Sequence, residues 1–133
     1  MSNPVALLRK VLLLDATTCL ATGLLLVLFA GSLAEPLGLA TGFLRLSGAS
    51  LLPFAAFLLH TARRPALSRT QLWVVIALNA LWVVDSVLVL TTGFVQPTML
   101  GTVFVAAQAA AVAVLADLEL LGTLKLRACV SAT

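Results

Sequence analysis

The residues able to do chemistry in this chain are few, and they lie inside apolar runs. Asp15, Thr18 and Thr22 stand at i, i+3 and i+7, so a helix places all three on one face. His60 sits near the end of the second run, at a comparable depth. A carboxylate beside an imidazole in a low-dielectric setting is a proton-transfer pair. Asp15 and His60 are therefore candidate acid–base groups, with Lys10, snorkelling from below, as the competing partner of Asp15. Asp85 in the third run is the remaining candidate acid or base.

Depth can be counted at about 1.5 Å of rise per residue from the middle of each run. Arg45 then lies about 7 Å and Asp85 about 6 Å to the outer side. Their opposite charges at one level predict an ion pair that either pins helix two to helix three or lines a cavity. Thr22, Asn79 and Gln108 fall within about 3 Å of the centre, and Asp15 and His60 roughly 10–15 Å toward the inner side. Polar groups in hydrocarbon are costly, which makes Arg45, Asn79, Trp82, Asp85, Gln108 and Thr22 the candidate ligand-binding set. Each also has a plain structural alternative, because polar side chains hydrogen-bond across helices for about 0.6–2 kcal/mol apiece.

No cofactor or catalytic signature accompanies these residues. There is no glycine-rich phosphate loop, no dinucleotide fingerprint and no H-E-x-x-H. One histidine cannot build a His-only metal site, and Cys19 and Cys129 have no paired spacing. Neither a metal nor a cofactor is expected. The cations are not interleaved with aromatics on one surface, so nucleic-acid binding is not expected either.

The elements that must position these groups are membrane spans. Of the 133 residues, 62% are hydrophobic and 10% charged, whereas an ordinary soluble domain has roughly 25% charged residues. Four apolar runs follow one another at 11–34, 38–62, 70–92 and 98–121. Each meets the requirement of about 20 apolar residues for a span, and short links make neighbours antiparallel. The expected fold is a single all-α, up-down-up-down bundle of four transmembrane helices. Arg9, Lys10, Arg63, Arg64, Arg69, Lys125 and Arg127 all fall at one end of the bundle, and the loops at the other end carry no Lys or Arg. That asymmetry places both termini in the cytoplasm. The first run, with Ser32-Leu33-Ala34 before Glu35, imitates a cleavable signal peptide. It is, however, much longer than the roughly 7–15 residues of a signal core and contains Asp15 and three threonines.

Packing signals add detail. Gly38-x-x-x-Gly42 has the small-residue spacing of close helix contacts, and the alanines of the fourth run, Ala109 and Ala113 among them, mark that helix for the tightest contact in the bundle or between protomers. Pro53 should kink the second helix. Trp73 suits the inner interface. Asp117 and Glu119 are expected at the surface, opposite Arg63, Arg64 or Arg69. The two halves, each a hairpin whose turn carries Glu35-Pro36 or Gln96-Pro97, echo one another faintly.

Four spans in this length, Gly23 in the first, and Leu44-Arg45-Leu46-Ser47-Gly48 ahead of an apolar run with Pro53 resemble the DoxX-like group of small bacterial membrane proteins. The resemblance implies the bacterial cytoplasmic (inner) membrane and, as in some members, an accessory role beside redox systems. It transfers no catalytic residue. The small multidrug transporters are similar in length and span count, but rely on a Glu in helix one where this chain has Asp15. The leading expectation is an accessory or hydrophobic-ligand-binding subunit, in contact with membrane lipids and within a homo-oligomer or larger complex. A membrane enzyme on a lipid or isoprenoid substrate, or a small dimeric transporter, is the alternative. A cavity holding both Asp85 and Asn79 and open sideways to lipid would favour the enzyme, and ion-coupled flux the transporter.

Overall fold

The computed structural model describes residues 3–93 and 95–132, with side chains described as far as residue 127. Cys129 and Phe94 lie outside the described side chains. Four α-helices account for nearly all of it: α1 (Pro4–Leu37), α2 (Thr41–Arg63), α3 (Arg69–Thr91) and α4 (Met99–Ala132). All four are long and apolar enough to cross a membrane, with mean hydropathy of 1.6 to 2.2 over their best windows. Leucines such as Leu28 and Leu46 cover the outer surface, where lipid rather than water would meet them.

The helix ends follow local chemistry. α1 begins at Pro4, well before the apolar run, because Asn3 accepts a hydrogen bond from the Val5 N–H at 3.0 Å and proline is preset for the first helical position. It passes through Pro36 and stops at Gly38, whose φ of +67° is the left-handed conformation glycine adopts without strain. The Leu39 N–H then bonds back to the Ala34 carbonyl at 3.1 Å. The turn therefore lies after Pro36 and not at Glu35-Pro36. The sharp break in α1 is at Phe29, where φ is −114° and ψ is 18°.

α1 is the spine. Near its start, the Arg9 guanidinium donates to the carbonyls of Ala62, Arg64 and Pro65 at 2.5, 2.6 and 2.9 Å, satisfying the open end of α2. At mid-length, Gly23 and Gly48 let the α1 and α2 backbones touch: a Cβ built on Gly48 would stand 2.8 Å from the Gly23 carbonyl oxygen. At its far end, Thr98 donates its hydroxyl to the Pro36 carbonyl at 2.6 Å and accepts from the Gly101 N–H at 3.1 Å, tying α1 to the start of α4. A Cβ on Gly101 would run into the Leu37 carbonyl oxygen. These contacts make α1 antiparallel to both α2 and α4.

One packing expectation is corrected here. Gly38 is a helix cap and Gly42 faces open space, so that pair is not a packing face. Close backbone approaches run through Gly38 and Gly101 at the α1–α4 junction and through Gly23 and Gly48 between α1 and α2, since a glycine has no Cβ to hold two helices apart.

The core forms two clusters. Leu8, Leu12, Leu58, Leu72 and Val75 lead one, and Leu26, Ala30, Leu37 and Leu44 lead the other. α2 and α3 barely touch. α3 has no glycine to allow a close approach, and it is the least buried helix, with 17% of its most apolar window inside the protein. The seam between α2 and α3 stays open.

Candidate functional site

A polar knot is buried at the end of that seam nearer the start of α1. Asp15 of α1 is 0% exposed, Asn79 of α3 2% and Glu119 of α4 1%. The Asn79 amide donates one N–H to Asp15 Oδ2 at 2.8 Å and the other to Glu119 Oε2 at 2.9 Å. Facing two carboxylates, the amide must present its nitrogen, because its oxygen would oppose theirs. Cys19, one helical turn from Asp15, donates its thiol to Asp15 Oδ1 at 3.5 Å. The Thr123 hydroxyl donates to the Glu119 backbone carbonyl at 2.8 Å, while Glu119 Oε1 is buried without a partner.

Glu119 is thus a core residue and not a surface partner of the arginines. Its place was readable. Val105, Ala109, Val112, Leu115 and Glu119 recur at steps of three and four, so Glu119 continues the buried stripe of α4. Depth counted from the middle of each run separates Asn79 from Asp15 because α1 and α4, at 34 residues each, overrun the apolar segments. Midpoints of the runs therefore do not share a plane, and Asn79 of α3 meets Asp15 and Glu119 at one level.

Outward from the knot, the seam opens into two adjoining cavities of about 480 and 650 Å³. Ser50, Trp82, Asp85 and Gln108 line both. The first is walled by Pro53, Phe54 and Phe57 of α2 and by Leu78, Leu81 and Trp82 of α3, and floored by Asp15, Cys19 and Thr22 of α1 and Val112 of α4. Asn79 also faces it. The cleft therefore gathers Asp15, Thr22, Asn79, Trp82, Asp85 and Gln108 from the sequence-derived set.

Arg45 and His60 do not join them. Both are exposed, and neither lines either cavity. Among the described residues, no ion pair or hydrogen bond involves Arg45 or Asp85. The pair expected from equal depth does not form, because depth along a helix says nothing about rotation around it, and α2 and α3 are apart. Asp15 meets neither His60 nor Lys10, since its two oxygens accept from Asn79 and Cys19. No group of three metal-ligating side chains occurs among the described residues.

Fold and site define an all-helical protein with four helices of membrane-crossing length around a laterally placed cleft with a carboxylate–amide floor. No known family model, curated protein or solved structure matches the chain.

Proposed function

We propose that this protein binds a hydrophobic, membrane-dissolved molecule in the cleft between α2 and α3, as a ligand-binding or accessory subunit of the bacterial inner membrane. The observation that carries the proposal is the cleft itself: hydrocarbon and aromatic walls, a few convergent polar groups, and a seam left open between two helices that lipid surrounds. A ligand partitioning into the bilayer would enter sideways without crossing water. The bundle is placed with both termini in the cytoplasm and alternating helix directions, and its exposed leucine faces suit lipid contact or a further membrane subunit.

A second reading is supported by one feature of the same cleft. Asp85 and Asn79 line it together with Asp15, an arrangement that suits acid–base chemistry on a lipid or isoprenoid substrate. Native mass spectrometry of protein released gently from membranes tests both. A retained lipophile of one mass supports binding, and its loss from a Phe54→Trp, Leu78→Trp variant that fills the cleft assigns it there. Conversion of that lipophile to a product by wild-type protein, abolished in Asp85→Asn, selects the enzyme. Retention unaffected by the filled cleft overturns both.

A further inference from the structure

We propose that the ligand of this cleft is a lipophilic ammonium compound, held with its N–H groups on Asp85 and its hydrocarbon body along the aromatic wall; the inference rests on the ligand-binding cleft proposed above. The first support is charge. Asp15 and Asp85 line the cleft, and no Lys, Arg or His lines either cavity. Arg45, the one arginine deep in a span, lies elsewhere. An anionic headgroup would meet carboxylates with no cation to offset them.

The second support is two unfilled acceptors, Asp85 and Asn79 Oδ1, beside which the buried Trp82 indole N–H stands as a donor without a partner. Asp85 stands exposed on α3 within a membrane-length helix and has no partner. A carboxylate in that setting is costly unless something pairs with it. Asp15 does not need a ligand in the same way, since both its oxygens accept hydrogen bonds. Asn79 is 2% exposed and faces the cleft, and both its amide protons are used on Asp15 and Glu119. Its Oδ1 therefore looks for a donor. An ammonium group with N–H bonds answers Asp85; a quaternary ammonium has no N–H to donate.

The third support is the wall. Trp82 is one helical turn from Asp85 and lines both cavities, and Phe54 and Phe57 face the first. Aromatic faces beside a carboxylate attract an organic cation through the ring quadrupole, most strongly where water is thin.

Trp82 also supplies the readout. The chain has two tryptophans, so a Trp73→Phe background leaves Trp82 as the sole emitter. The protein is placed in phosphatidylcholine nanodiscs, which offer no N–H donor, and titrated with dodecylammonium, dodecanol and dodecanoate, each corrected for partition into protein-free discs. The expected result is saturable Trp82 emission change for all chains that enter, with dodecylammonium at least tenfold tighter than dodecanol and dodecanoate weakest. Asp85→Asn should weaken dodecylammonium at least tenfold and leave dodecanol unchanged, and the unchanged alcohol shows the cleft intact. Phosphatidylethanolamine added to the discs distinguishes the source of the amine: displacement assigns it to a lipid headgroup, and no displacement to a free amphiphile. Equal binding of alcohol and ammonium overturns the amine while leaving the cleft standing. Saturable binding of none of the three overturns the cleft as well.

Discussion

Asn79 is the side chain on which the interior depends most. One amide joins three helices by giving a proton to each of two carboxylates that would otherwise stand unsatisfied in a nearly water-free interior. A buried acceptor left without its donor destabilises by about 1–3 kcal/mol, and more when it is charged. Asn79→Leu keeps the branched shape and removes both donors, so it is expected to lower stability by about 2–5 kcal/mol, read by thermal or denaturant unfolding in detergent. A loss under about 0.5 kcal/mol, the range of ordinary surface substitutions, would show that the two carboxylates manage without it. The spacing of Asp15 and Glu119 along their own helices was legible in the sequence. That one amide on a third helix serves both was not, because hydrogen-bond partners 64 and 40 residues away are chosen by helix rotation.

At the scale of the helix, small residues set how closely backbones approach one another. Lipid is as apolar as leucine, so helices associate through close fit and polar contact rather than through escape from water. Gly23 on Gly48 and Gly101 on Leu37 supply that fit and fasten α1 to α2 and α4, while α3 has no equivalent. Gly101→Ala places a methyl group against a backbone carbonyl that cannot swing aside, and is expected to destabilise by about 1–3 kcal/mol or more. Gly42→Ala, in open space near the start of α2, is expected to be neutral or to stabilise by about 0.5–1 kcal/mol, since alanine loses less backbone entropy in a helix. Parallel melts of the two variants in one detergent make the comparison. Equal behaviour would mean that the α1–α4 junction is looser than its geometry.

For the whole molecule, the decisive quantity is the distribution of charge between the two ends. Arg9, Arg63 and Arg64 gather where α1 begins and α2 ends, and Arg9 is fastened there by three carbonyls. Reporter fusions at Thr133 and in the turn at Leu39 are expected to give cytoplasmic and external signals respectively, as the lysine and arginine bias directs. Moving the bias should move the protein: replacing Arg63, Arg64 and Arg69 with Gln and adding lysines at the Gly93–Pro97 link is expected to produce a mixed orientation. A Thr133 fusion that reports an external terminus in the native chain would reverse the placement of the whole bundle.

Composition and run length alone determined the four helices, because a chain with this much hydrocarbon and so little charge can satisfy its backbone in lipid only by helix formation. The caps at Asn3 and Gly38 act only on groups within a few residues, although the small-residue spacing points to packing for Gly38. The candidate set drawn from polar residues inside the runs also contained six of the residues that line the cleft. Only the tertiary structure decided which of them meet. The placing of Arg45 and His60 outside the cleft, the joining of Glu119 to Asp15 and the open seam between α2 and α3 depend on rotation, offset and tilt of whole helices. Those are set by where glycines permit contact and where large side chains refuse it, and no single span carries that information.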